Sequence, residues 1–259
     1  LTLGLVWVFL PFLWLLSTAF KNQADAFALP PKLVFQPTLE AFRQLFSGPF
    51  AHATMNSVIL TVTATGIALL LGVPAGYGLA IAKSRLTVGS GYLLLAAYVM
   101  PGIVYVIPMF IIFLNVGLVN TYVGIVLAYE TFLLPLTAWL MRSYFLDVPP
   151  DLEAAALIDG CTRFQAFRKV ILPTALPGIT TVGLLAAIAA WGEYFATLII
   201  GGSDTYNANV ALAGLVSGYS SSFGQLTAGA LFITVPILVV TLVAQRGLLR
   251  GLTAGAVKG

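Results

Sequence analysis

Residues 53–82 read ATMNSVILTVTATGIALLLGVPAGYGLAIA, an uncharged stretch of thirty residues. About 20 apolar residues cross a bilayer as a helix, so this stretch spans it with residues to spare. Its apolar positions are continuous. A transmembrane barrel strand alternates apolar and polar positions instead. Outward from this stretch the pattern repeats. Leu1 to Phe20 precedes it, and Gly91 to Leu114 follows, again without charge. About Tyr122 to Met141 carries only Glu130, about Pro177 to Ile200 only Glu193, and Gln225 to Gln245 no charge. The expectation is an all-α polytopic membrane protein, one transmembrane domain over 1–259. Its six helices lie at about 1–20, 53–82, 91–114, 122–141, 177–200 and 225–245. Composition agrees: of 259 residues 59% are hydrophobic and 8% charged, against about 25% charged in soluble domains. No small-residue cleavage site follows the first run, so it reads as a span rather than a signal peptide. Because the chain begins with Leu1 rather than Met, further residues are expected before it.

Position gives the few charges their meaning. Lys83 and Arg85 follow the second span. Arg142, Arg163, Arg168 and Lys169 lie between the fourth and fifth, and Arg246, Arg250 and Lys258 follow the sixth. That places nine of the twelve Lys and Arg on one side. The positive-inside rule makes that side, with both termini, cytoplasmic. The outer side keeps Lys21, Lys32 and Arg43, all in the loop 21–52. Pro30, Pro31 and Pro37 hold the first part of that loop extended. Thr38 then reads as an N-cap. Leu39, Phe42, Leu45 and Phe46 share a helical face, and Gly48 can end the helix. This short amphipathic helix serves either the bundle or a partner.

Breakers interrupt several spans: Gly66, Gly72, Pro74, Gly76 and Gly78 in the second, Pro101-Gly102 and Pro108 in the third, Pro135 in the fourth and Pro236 in the sixth. They fit a bundle that bends, and they also fit the ordinary Gly and Pro content of membrane helices. Glu130 and Glu193 are more pointed, because a carboxylate at membrane depth costs about 2.5 kcal/mol or more. Each should meet a cavity or a partner. Glu193 sits in Trp191-Gly192-Glu193-Tyr194 and Glu130 follows Tyr129. Aromatic faces beside a hydrogen-bonding acid suit a polyhydroxylated solute, so Tyr98, Tyr129, Glu130, Trp191, Glu193 and Tyr194 are the candidate solute-pathway residues. An interhelical polar clamp is the alternative. Two acids and no base within the spans weigh against an anionic solute.

Enzymatic chemistry finds no residues here. The single histidine, His52, reads as an outer-loop residue. With one cysteine, Cys161, there is neither a disulfide framework nor a metal site. Hydrolase, zincin and phosphate-loop motifs are all missing. The chain therefore reads as non-catalytic, with no catalytic or metal-binding residue and no bound cofactor. Its energy must come from an ion gradient, the solute's own gradient or a partner.

The loop 147–175, between spans four and five, reads DVPPDLEAAALIDGCTRFQAFRKVILPTA. Pro149-Pro150 stops the incoming helix. Asp151 and Glu153 open a new first turn, where negative charge suits the helix dipole. Ala154, Ala155 and Ala156 favour helix and let another surface approach, and Gly160 ends the helix. Thr162 and Gln165 have capping-box spacing, which starts a second short helix running to about Ile171, before Pro173. Phe164 and Phe167 are expected exposed on one face, rimmed by Arg163, Arg168 and Lys169. Two short helices at a glycine corner with exposed aromatics form a docking knob, since such anchors are typical interface hot spots. A loop folded back on its own bundle is the alternative.

This loop resembles the EAA loop of binding-protein-dependent ABC importers, whose pattern is Glu-Ala-Ala, three residues, Gly, nine residues, Ile-x-Leu-Pro. Ala155, Ala156, Gly160, Leu172 and Pro173 match, and Val170 takes the Ile position. Ala154 stands where the family has Glu, and the acid comes one place earlier, at Glu153. Asn56-Ser57, Ala75-Gly76-Tyr77, Pro101 and the closing Gly251 to Gly259 resemble the maltose-type permeases of carbohydrate importers. Trp191-Gly192-Glu193 is similar to that subfamily's Trp-Asn-Glu but lacks the amide. The resemblance implies an inner-membrane permease subunit of a prokaryotic carbohydrate importer. It implies four protein partners of three kinds: a second permease, two cytoplasmic ATPase subunits that use ATP and Mg, and an extracytoplasmic solute-binding protein. It also implies that Glu153, Ala155, Ala156, Asp159, Gly160, Phe164, Phe167, Arg168, Leu172 and Pro173 couple ATPase closure to alternating access. The competing expectation is a gradient-driven secondary transporter using Glu130 or Glu193 as a proton site.

Overall fold

A computed structural model describes residues 2–82, 85–217 and 223–256. Lys83 and Lys258, used above for orientation, lie outside the described residues, as do Leu1 and the last three residues of the closing motif. Every regular element among the described residues is helical. In chain order they are α1 (Thr2–Ala19), α2 (Gln23–Ala26), α3 (Glu40–Phe46), α4 (Phe50–Ile81), α5 (Arg85–Val99), α6 (Gly102–Asn115) and α7 (Tyr122–Leu146). Then follow α8 (Asp151–Ile158), α9 (Arg163–Ala166), a π-helical turn (Phe167–Ile171), α10 (Leu172–Thr174), α11 (Leu176–Trp191), α12 (Phe195–Ile200), α13 (Ala208–Ser217) and α14 (Phe223–Ala256).

The apolar runs become helices, but not all become straight spans. Three described stretches are long and apolar enough to cross a membrane: Phe50–Ile81, Tyr122–Leu146 and Phe223–Leu242. The third run is broken. Gly91–Val99 and Gly102–Asn115 meet at 88°, because Pro101, with ψ 128°, leaves helical geometry and starts α6. The fifth run ends its helix at Trp191 rather than Ile200, and its approach through Arg163–Thr174 is bent by 74°. Counting each bent pair as one span gives five, and α1 adds the shorter apolar stretch Phe9–Ala19. Pro74, Pro108, Pro135 and Pro236 stay inside continuous helices.

The axis of the fold is the pair α4 and α7, the most extensive helix contact. An ideal Cβ on Gly72 would lie 2.7 Å from Thr137 Cγ2, and one on Gly76 2.7 Å from Met141 Cβ. Four residues along one helix match four along the other, so the two run parallel, and small residues bring their backbones together. Leu60, Ala64, Ala68, Ile125, Tyr129 and Leu133 continue the core of this seam, closed by Ala186 and Ala190 of α11.

The seam's N-terminal end is clasped by amides. Asn56 Nδ2 donates to the carbonyls of Asp204 and Tyr206, both at 2.9 Å, and Tyr122 Oη donates to Asn56 Oδ1 at 2.6 Å. Ser57 Oγ accepts from the Ala208 N–H at 2.8 Å. His52 lies in the first turn of α4 rather than in a loop. α3 begins at Glu40, one residue later than a Thr38 cap would start it, and Thr38 Oγ1 accepts from the Glu40 N–H at 3.2 Å. Its apolar face packs on the bundle. Leu45 is buried, Phe46 meets Phe232 of α14 edge-on at 4.9 Å, and Leu39 stays exposed.

Candidate functional site: the knob and the polar break

At the C-terminal end of the α4–α7 seam, residues 151–174 stand out as a knob. Pro149 and Pro150 separate α7 from α8, and Gly160 turns the chain at φ +85°, a left-handed conformation that favours glycine. Thr162 and Gln165 make both bonds of a capping box, at 3.3 and 2.9 Å. The helix does not stop before Pro173. It widens into the π turn Phe167–Ile171 and continues to Thr174.

The two aromatic residues part company. Phe164 is 70% exposed, whereas Phe167 stacks on Tyr77 of α4 at 4.6 Å and meets Phe145 of α7. The paired exposed face expected from their spacing is thus one outward ring and one inward ring. The sequence reading missed Ile158, 86% exposed on α8, and Leu157 beside it. An apolar pair immediately before Asp-Gly was the available signal. Asp159, Arg168 and Pro173 are exposed, as is Ala155, while Ala156 is buried and Leu172 is partly covered. Glu153 is half-buried, turned toward α4, and Cys161 is a free, partly covered thiol.

The solute-pathway candidates divide. Tyr129 is fully buried, its hydroxyl 2.8 Å from Thr197 Oγ1. Glu193 lies in the break between α11 and α12, where its carboxylate caps α12. Oε1 and Oε2 each accept from the Ala196 N–H at 3.1 Å, and Oε2 from Thr197 at 3.4 Å. Trp191 Nε1 donates to the Ile233 carbonyl at 3.0 Å. Asn207 and Asn209 gather these pieces. Asn207 Nδ2 donates to the Glu193 carbonyl at 2.7 Å, to Tyr129 Oη at 3.1 Å and to Thr197 Oγ1 at 3.2 Å. Asn209 Nδ2 donates to the Trp191 carbonyl at 2.7 Å. Two amides opening an otherwise apolar segment were the sequence signal for this cluster, and the reading passed over them. Tyr194 packs on Phe195, and Tyr98 is exposed near the end of α5. Both Glu130 oxygens are enclosed and have no hydrogen-bond partner among the described residues.

The Glu193 geometry yields an expected result. Glu193→Ala strips the cap from α12 and should cost about 1–2 kcal/mol in unfolding of the purified chain. Glu193→Gln keeps an acceptor oxygen and should recover at least half of that.

Bent apolar helices, a seam of small residues and a projecting knob define an all-α polytopic membrane protein. The chain belongs to the family of binding-protein-dependent transport system inner membrane components, which its residues 68–252 match. It is 37% identical over 268 residues to the trehalose transport system permease protein SugB of Mycobacterium tuberculosis, covering 100% of this chain and 95% of that one. It is 32% identical over 266 residues to the diacetylchitobiose uptake system permease protein DasC of Streptomyces coelicolor, covering 100% and 94%. To the trehalose/maltose transport system permease protein MalG of Thermococcus litoralis it is 30% identical over 260 residues, covering 96% and 91%. The fold is that of a chain in the crystal structure of a bacterial ABC transporter that imports the acidic polysaccharide alginate. The TM-score is 0.75 at 20% identity, over 95% of this chain and 92% of that one. A chain of the inward-facing MetNI methionine ABC transporter matches at TM-score 0.64 and 18% identity, over 80% and 96%.

Proposed function

We propose that the chain is the transmembrane permease subunit of an ATP-driven ABC importer for a carbohydrate, multi-pass in the cytoplasmic membrane with both termini inside. The observation that carries this reading is the knob. It presents Ile158 and Phe164 outward and is tied to the core by Phe167 on Tyr77. Exposed large apolar anchors of this kind fill a partner's pocket. The partner is a cytoplasmic ATPase, present twice and using ATP and Mg, while this chain binds no cofactor and hydrolyses nothing. A second permease completes the membrane part, and an extracytoplasmic binding protein delivers the solute. ATPase closure moves the knob, and the bent helices carry the movement into alternating access. Permeases named for trehalose, trehalose/maltose and diacetylchitobiose among the relatives support a neutral sugar as solute.

The test replaces the anchors. Phe164→Ala and Ile158→Asp should each reduce co-purification of the ATPase, and ATP-driven sugar uptake at least tenfold, with the folded permease still in the membrane. Undiminished assembly and uptake in both variants overturns the assignment.

A further inference from the structure

We infer that Tyr77 is the joint through which the knob moves α4, and that its hydroxyl makes and breaks a hydrogen bond to Glu153 as the knob shifts. The inference rests on the docking reading above and deepens it. Tyr77 lies one residue beyond Gly76, where an added Cβ would meet α7 at 2.7 Å. Its ring stacks on Phe167 of the knob at 4.6 Å and 28°. The same ring stands edge-on to Phe145 of α7 at 5.4 Å and 74°. One side chain therefore contacts the moving knob while sitting on the rigid pair. Phe167 also opens the π turn Phe167–Ile171, and such wide turns recur at functional sites.

The hydroxyl supplies the second position. It is buried and makes no well-formed hydrogen bond among the described residues. The Glu153 carboxylate of α8 already faces it at the edge of hydrogen-bond reach, with Arg163 of α9 also close enough to act on it electrostatically. A buried hydroxyl left unpaired is costly, and a short shift of α8 toward α4 pairs it. Space for that shift exists on both sides of Glu153. A cavity of about 440 Å³ is lined by Gly78, Glu153, Ala154, Leu157 and Arg163 among others. A second, of about 340 Å³, is lined by Tyr77, Phe145, Pro150, Glu153 and Ile171 among others. Both spaces are grooves open to the surface, with Ala154, Leu157 and Arg163 exposed along the first, so α8 is not wedged against α4 on these sides. Glu153 is turned into this space while its neighbours Asp151, Leu152, Ala154 and Ala155 are exposed. The acid at 153, in a loop with Ala at 154, thus serves α4 rather than the partner. Tyr77 is a positioning residue: it touches no solute and acts through α4.

The experiment uses the assembled transporter in proteoliposomes and reads sugar moved per ATP hydrolysed, with permease melting and ATPase co-purification measured alongside. Tyr77→Phe keeps the ring stack and removes only the bond. It should leave melting and co-purification unchanged and lower the transport-to-hydrolysis ratio five- to tenfold. Glu153→Ala should match it, and the double variant should be no worse than either single one, since both remove one bond. Glu153→Gln, which keeps an acceptor, should restore most of the ratio. A Tyr77→Phe protein with wild-type ratio overturns the inference. So does one whose loss is matched by lower melting, which is a structural role only. Loss of co-purification in Phe164→Ala concerns docking alone, so the two readings fail separately.

Discussion

Replacing Gly76 by alanine should destabilise the purified permease by about 1–3 kcal/mol, the usual cost of overpacking a tight core, and Gly76→Leu should leave little folded protein in the membrane. The added Cβ would meet Met141 Cβ at 2.7 Å, the Arg142 backbone nitrogen at 2.8 Å and the Ala138 carbonyl at 2.9 Å. Two of these three atoms are backbone, so no rotamer change relieves the clash. α4 and α7 must separate, and separation undoes the largest contact in the fold. Gly72 offers a graded comparison. An added Cβ there would meet Thr137 Cγ2 at 2.7 Å, which can turn away, and Thr137 Cβ at 2.8 Å, which cannot, with the Ala138 nitrogen at 3.3 Å, so Gly72→Ala should also destabilise, by somewhat less. A Cβ added at Gly66 or Gly78 on the same helix would meet nothing within 4 Å among the described residues outside its own turn. Alanine there should be neutral or stabilising by up to about 1 kcal/mol, because it is the better helix former. Thermal unfolding in detergent across the four variants checks the order. Equal effects at Gly76 and Gly78 would mean the seam is not held by close backbone approach.

The same seam shows what the sequence makes legible. An uncharged run of apolar residues has only one way to satisfy its backbone in lipid, so helices follow from composition. Where a helix stops is a different matter. Pro101 breaks its helix and bends the path by 88°, while Pro74 and Pro135 sit inside continuous helices. Pro101 is followed by Gly102, whose freedom adds a second weak point, while Pro74 and Pro135 are followed by Ala75 and Leu136. The knob was legible because its signals are local: two prolines, a glycine at positive φ and a capping box within one loop. The direction of Phe167 was not, since it depends on Tyr77, ninety residues earlier. Glu193 likewise looked like a solute contact by residue type, yet its oxygens are taken by the N–H groups that follow it. That preference for the chain's own donors is what a helix start inside a membrane demands.

Asn207→Leu should be the most damaging polar substitution, costing about 2–4 kcal/mol, as expected when several buried groups lose their partner at once. The amide nitrogen serves the Glu193 carbonyl, Tyr129 Oη and Thr197 Oγ1, and Oδ1 accepts from the Val210 N–H at 3.0 Å. Leucine has similar volume, so packing survives while the Val210 N–H loses its acceptor and the Glu193 carbonyl keeps only the longer bond from Asn209, at 3.4 Å. Asn207→Asp isolates the donor. It still accepts from Val210, but it sets a carboxylate against the Glu193 carbonyl, so it should fall between wild type and leucine in protein held near neutral pH. In Asn207→Leu the Tyr129 and Thr197 hydroxyls still pair with each other at 2.8 Å, so adding Tyr129→Phe there should cost less than Tyr129→Phe alone, which also takes an acceptor from the Asn207 amide. That shortfall marks a shared network rather than two independent contacts. Because Asn207 opens α13 and Glu193 closes the break after α11, loosening this node frees α12 at both of its neighbours. Sugar uptake should therefore fall with stability in Asn207→Leu, and fall little further when Tyr129→Phe is added. Additive losses in the double variant, measured by unfolding and by uptake, would remove the node from the account.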